Sequence, residues 1–178
     1  MNNQNKLTIV INGRGGVGKD TLCDFAAEHF RVRNVSSVDP IKEIARSHGW
    51  NGEKDLRSRK FLSDLKRTFT EYNDLPNAYL ERQHTEFLAC DEQIMFCHIR
   101  EGEQIDAFKR RMDGHLVLAL LIRREGEDIA KHYGNASDDD VENYPYDYYY
   151  DNNAPLEQTA EKFAAFLEQI AKEQGITL

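Results

Sequence analysis

Residues 13–19 read GRGGVGK, which puts Gly13, Gly18 and Lys19 at the spacing GxxxxGK, the Walker A pattern. Glycines so placed let the main chain turn with positive φ and aim successive N–H groups at one anion, and a helix beginning at the lysine adds the positive end of its dipole. Arg14, Gly15, Gly16 and Val17 fill the interval and form the wall of such a cradle, with Lys19 reaching the β- and γ-phosphates of a bound nucleotide. The following position usually supplies a Ser or Thr hydroxyl to Mg²⁺, and here it is Asp20. A carboxylate beside a triphosphate is repelled unless a cation stands between them. The pattern therefore points to ATP with Mg²⁺, Asp20 as a ligand of the ion and Thr21 as a supporting or second ligand. The other use for Asp20 is to cap the helix, at about 1 kcal/mol.

Phosphoryl transfer asks a protein for alignment and charge neutralisation more than for covalent chemistry. Arginine forks grip phosphate oxygens in pairs and stay charged. Arg100 and Arg124 stand at the ends of predicted strands and join Lys19 and Asp20 as candidates for the transfer itself. The run Arg123-Arg124 leaves open which of the two points inward. Asp39, Lys42, Arg59, Arg67 and Glu101 are candidates for holding the acceptor. Arg59 and Arg67 fall on roughly one face of a predicted helix, Lys42 suits an acceptor phosphate, and Glu101 an acceptor or the metal. For each of these the alternative is a solvated surface charge.

The elements that must position these groups follow from hydrophobic period. LTIVI at 7–11 is a short continuous apolar run ending in glycines, as a strand buried on both faces would be. Leu22, Phe25, Ala26 and Phe30 then recur at helical spacing. Further strands are expected at 33–38, 93–99, 116–122 and, edge-like, 146–150. Helices are expected at 40–47, 56–73, 77–90, 103–112 and 155–171. Alternation of strands and helices predicts one α/β domain over 1–178: a three-layer P-loop fold with a parallel sheet of about five strands and helices on both faces. Residues 40–92 form an acceptor-binding insert, and the polar stretch at about 123–143 a lid. The tyrosines of 144–150 either stack on a base or pack the last strand, and packing is favoured.

Composition narrows the partners. A chain of 178 residues with 40% hydrophobic content builds one core. The formal net charge of −8 is unsuited to a nucleic-acid backbone. Cys23, Cys90 and Cys97 show neither paired nor zinc-ligand spacing, which fits a reducing cytoplasm. The longest apolar run, LVLALLI at 116–122, is too short to span a bilayer, and MNNQNK has no signal-peptide core, so a soluble protein with no membrane partner is expected. The number of copies that assemble is not readable here.

GRGGVGKDTLCDF at 13–25 resembles the GKDT form of the loop in deoxynucleoside monophosphate kinases, within the wider nucleoside monophosphate kinase group. VSSVDPIKEIA at 35–45 resembles that group's segment after the second strand, where the monophosphate region begins, and HIREGEQI at 98–105 its third-strand end. YDYYYDNNAPLEQTAEKF at 146–163 looks like the last strand, Asn turn and final helix shared with dephospho-coenzyme A kinases. The resemblance implies ATP-dependent phosphorylation of a nucleoside or deoxynucleoside monophosphate, with the turn at Asn152-Asn153 near adenine. The alternatives are a small-metabolite kinase of the dephospho-coenzyme A type and a non-catalytic P-loop nucleotide binder. One departure stands out: His98 occupies the place of an aspartate that such kinases use to organise Mg²⁺, a cation ill matched to imidazole.

Overall fold

A computed structural model of the chain describes residues 5–126 and 141–178. The first strand, β1 (Leu7–Asn12), is buried along its whole length and leads through the glycine loop into α1 (Lys19–His29). Then come β2 (Val32–Ser36), α2 (Asp39–Ser47), α3 (Leu56–Asn73), α4 (Leu75–Ala89), β3 (Ile94–His98), α5 (Gly102–Arg111) and β4 (Val117–Arg123). A 3-10 turn at Val141–Asn143, β5 (Tyr148–Asp151) and α6 (Leu156–Glu173) complete the described residues. Every element expected from periodicity is present, with ends shifted by a few residues at most. Of the expected lid, 127–140 lies outside the described residues.

The strands pair in the order β2-β3-β1-β4-β5, and every described pairing is parallel. Because side chains alternate across a strand, the sheet buries two sets of residues. Leu7, Ile9 and Ile11 join Phe96, Leu120 and Ile122 on one face, covered by Leu22 and Ala26 of α1 and Phe163, Leu167 and Ile170 of α6. Val10, Met95, Cys97, Ala119 and Leu121 face the other way, against Leu80 and Phe87 of α4 and Ile105 and Phe108 of α5. Each fully buried Leu or Ile contributes about 1.5–3 kcal/mol. The result is the three-layer parallel α/β architecture that the alternation of elements predicts.

Helices α2, α3 and α4 contact one another and form the insert between β2 and β3. Asp55 caps α3 by accepting from Ser58 N at 2.7 Å. Asp74, at φ 54°, ends α3 and opens α4, where Pro76 sits in the first turn. Lys6 Nζ donates to the carbonyls of Phe87 (2.9 Å), Cys90 (2.6 Å) and Glu92 (2.5 Å), tying the start of β1 to the end of α4. Parallel pairing brings the carboxyl ends of all five strands to one edge, the edge at which open α/β sheets bind ligands.

Candidate functional site

At that edge the chain leaves β1 through Gly13 (φ 149°), Gly16 (φ 90°) and Gly18 (φ 91°) before entering α1. Two of these positions admit no side chain. A Cβ on Gly13 would lie 2.6 Å from the Ile122 carbonyl oxygen, and one on Gly18 would lie 2.8 Å from Asn152 Nδ2. The loop is thus seated directly on the ends of β4 and β5. Lys19 opens α1, and its Nζ donates to the Gly13 carbonyl and, at 2.8 Å, to the Arg14 carbonyl, so its ammonium lies across the curl. Arg14 Nε is 3.4 Å from Glu142 Oε1. Gly15 and Gly16 form the outer rim and Val17 is buried beneath it.

Two buried asparagines outside the glycine motif hold this loop. Asn12, 1% exposed, accepts from Gly13 N at 2.9 Å through Oδ1. Its Nδ2 donates to the Arg100 carbonyl at 3.0 Å and to the Tyr146 hydroxyl at 2.8 Å, and that hydroxyl donates to the Val141 carbonyl at 2.7 Å. One side chain therefore fixes the loop entry, the end of β3 and the approach to β5. Asn152 braces the other side, its Nδ2 donating to the Val17 carbonyl at 2.9 Å while its backbone N–H donates to Arg123 O at 2.8 Å. The turn expected to lie near adenine thus supports the phosphate loop from behind, through Asn152.

Asp20 follows Lys19 in the first turn of α1, and its side chain is 93% exposed. The N-cap is Gly18 and no side chain makes a capping hydrogen bond, so what Asp20 offers the helix itself is a negative charge at the positive end of its dipole. Thr21, next along, is exposed at the same rim. His98, the last residue of β3, puts Nδ1 4.0 Å from Asp20 Oδ1. Its Nε2 lies 2.8 Å from Asn34 Oδ1, an acceptor, which places the ring proton on Nε2 and the lone pair on Nδ1. Burial pushes the His98 pKa down to about 4, against the pull of Asp20, so the ring is neutral at pH 7. Cys23 Sγ is 3.8 Å from the same Nε2, but burial raises the thiol pKa far above neutrality and leaves no thiolate to react.

The candidates for the acceptor are placed unevenly. Arg100 is exposed immediately beyond β3, and Glu101 beside it receives both carboxylate contacts from Lys66 Nζ, each 3.0 Å long. Lys66, not Arg67, is the residue that α3 turns toward the strand ends. Arg67 points away and pairs with Asp64 (3.8 Å) and Glu71 (3.5 Å) along its own helix, while Arg59 is exposed in the first turn of α3. Asp39 Oδ2 accepts from Ser36 N at 2.6 Å and its other oxygen is 4.0 Å from Lys42, so it braces the end of β2. Arg123 lies over the Tyr149 ring at 4.6 Å, and Arg124 is exposed beyond the strand. The tyrosines pack: Tyr148 and Tyr150 against Phe166, and Tyr144, Tyr146 and Tyr149 edge to face in a row.

Among the described residues no group of three or more His, Cys, Asp or Glu side chains forms a metal cage. A cation at this rim would draw on Asp20 and Thr21 and take its remaining ligands from phosphate and water, a donor set that suits Mg²⁺. Among the same residues no helix is long and apolar enough to cross a membrane.

No protein-family model and no curated protein sequence matches the chain. Solved structures do. A candidate kinase from Chloroflexus aurantiacus is similar over 96% of this chain and 98% of its own, at 16% identity and a TM-score of 0.57. The tunicamycin resistance protein of Deinococcus radiodurans is similar over 97% of this chain and 98% of its own (14% identity, TM-score 0.54). A gluconokinase from Sinorhizobium meliloti is similar over 96% and 97% (13% identity, TM-score 0.52). At such identities the likeness is one of fold: the three-layer P-loop α/β fold with its parallel sheet.

Proposed function

We propose that the protein is an ATP-dependent phosphotransferase whose acceptor is a nucleoside or deoxynucleoside monophosphate. The observation that carries this reading is the glycine curl of Gly13, Gly16 and Gly18 closed by Lys19 at the start of α1, on the strand edge that also presents Arg100. In this reading the loop amides and Lys19 bind the β- and γ-phosphates, and Asp20 with Thr21 holds Mg²⁺, which when bound neutralises charge between the phosphates. Arg100 and Arg124 take up charge on the transferring group. Lys42 and the Lys66–Glu101 pair, on the insert side, orient the acceptor, with Asp39 fixing the turn that carries Lys42. A phosphate nucleophile is already ionised at neutral pH and needs no general base. That agrees with an Asp39 committed to Ser36 N. The glycine loop, Arg14 and Val17 supply the nucleotide side, and the insert at 40–92 the acceptor side.

Incubation of the protein with ATP, Mg²⁺ and each nucleoside or deoxynucleoside monophosphate in turn is expected to yield ADP and one acceptor diphosphate. Absence of a diphosphate from every acceptor would remove this reading. A second reading, a kinase of small hydroxylated metabolites, is favoured by the fold likeness to a gluconokinase, and dephospho-coenzyme A or a sugar acid in the same assay separates the two. A nucleotide-binding protein without transfer would bind ATP and release no ADP with any acceptor.

A further inference from the structure

His98 is oriented for a task that packing alone does not require. Its Nε2 proton is committed to Asn34 Oδ1 at 2.8 Å, which fixes the ring and directs the Nδ1 lone pair to the loop mouth. There the Asp20 carboxylate stands at 4.0 Å, beyond hydrogen-bond reach, and the positive charges of Lys19, Lys42 and Arg100 also act on the ring. Asp20 stands one residue after the lysine of the phosphate loop and makes no capping hydrogen bond. A neutral imidazole held through its other nitrogen by a side-chain carbonyl is the arrangement by which histidines ligate metals. Two ligands at adjacent positions around one ion, each about 2.1 Å from it, stand about 3 Å apart. A rotation of the exposed Asp20 side chain by about 1 Å therefore brings both donors to one ion.

Resting on the phosphotransferase reading above, we propose that Asp20 Oδ1 and His98 Nδ1 together seat the cation of the bound nucleotide. The site is thereby tuned to a borderline transition-metal ion such as Mn²⁺ in preference to Mg²⁺. Carboxylate and phosphate oxygens serve both ions, whereas an imidazole nitrogen adds affinity along the first-row series and little for Mg²⁺. Thr21, phosphate oxygens and water take the remaining positions, so the site needs no cage of three His, Cys, Asp or Glu side chains, and none exists among the described residues. Asn34 is a positioning residue in this scheme: it acts only by fixing which ring nitrogen is bare.

The test uses the full chain with β,γ-methylene ATP and either Mn²⁺ or Mg²⁺, followed by calorimetry. The Mn²⁺ complex is expected to bind at least about tenfold more tightly than the Mg²⁺ complex. That ratio should collapse toward one in His98→Phe and His98→Gln and shrink in Asn34→Leu. Spin-echo modulation on the native Mn²⁺ complex, which needs no variant to fold, should show the coupling of a directly bound imidazole nitrogen, lost when His98 is replaced. Tight nucleotide binding with no nitrogen coupling and an unchanged ratio in the variants would overturn the inference and leave the phosphotransferase reading standing. Failure to bind the nucleotide with either cation would overturn both.

Discussion

Replacing Asn12 with alanine tests the idea that one buried amide sets the shape of the loop. The change removes three hydrogen bonds at once: the acceptor for Gly13 N, and the donors to Arg100 O and the Tyr146 hydroxyl. The hydroxyl keeps the Val141 carbonyl as a partner, so it loses little. The Gly13 N–H is left buried without a partner, at about 1–3 kcal/mol, and the partly exposed Arg100 carbonyl adds about 1 kcal/mol. The expected loss is therefore about 2–4 kcal/mol, which at a urea slope of about 2 kcal/mol per molar lowers the unfolding midpoint by about 1–2 M. Tyr146→Phe alone should cost about 1 kcal/mol, and the double variant should fall short of the sum by about 0.5–1.5 kcal/mol because the two side chains share a bond. Equilibrium urea unfolding followed by tryptophan fluorescence supplies all four numbers, and ATP-analogue titration shows whether the loop still binds. A loss below about 1 kcal/mol, or additive variants, would refute the assignment of Asn12 as the shared support.

Gly13→Ala forces a Cβ to within 2.6 Å of the Ile122 carbonyl at φ 149°, so nucleotide affinity should fall at least about tenfold, checked by calorimetry on folded protein. Lys19→Met should abolish measurable triphosphate binding, while Asp20→Asn should leave the fold intact and weaken the dependence of binding on divalent cation; an unchanged cation titration would deny Asp20 a metal role. Lys66→Met leaves Glu101 without its pair, and because both partners are partly exposed the stability cost should stay within about 1 kcal/mol while the KM for the acceptor rises. His84 is 2% exposed among Phe87, Phe108 and His115, and burial with the neighbouring His115 pushes its pKa from 6.5 down to about 4. The unfolded chain takes up this proton near pH 6.5 and the folded one only near pH 4, so the stability is full above pH 6.5 and falls as the pH drops between the two, by up to about 3 kcal/mol. His84→Phe should flatten that slope in urea unfolding at stepped pH, and an identical slope would contradict the burial argument.

The parts of this fold written in periodicity were legible, because alternation of apolar runs and helical stripes dictates a covered parallel sheet whatever the details. The phosphate loop was legible because glycines at fixed spacing answer a backbone requirement that no other residue meets. The side of α3 that faces the site was not. Lys66 and Arg67 are both cations one residue apart, and only the packing of α3 decides that Lys66 meets Glu101 while Arg67 pairs along its own surface. The bracing roles of Asn12 and Asn152 were not legible because each satisfies partners distant in sequence, such as Tyr146 and Val17, that the topology alone brings near. A polar residue at the end of a wholly apolar strand was the one signal for Asn12, and it reads equally as the start of a turn. The resemblance places the turn at Asn152-Asn153 near adenine, and the structure adds that the Asn152 side chain braces the loop.

The strand order has a consequence for how the chain is made. β1 lies between β3 and β4, so Leu7–Asn12, which precede both in the chain, find their two neighbours only after 94–98 and 117–123 have been made. Until then a six-residue, largely apolar ribbon has both hydrogen-bonding edges open, the kind of segment that sticks to its like. Loops of this span close slowly. Lys6, whose ammonium grips three carbonyls around the end of α4, ties the entry of β1 to the α4–β3 half that supplies one of its two neighbours.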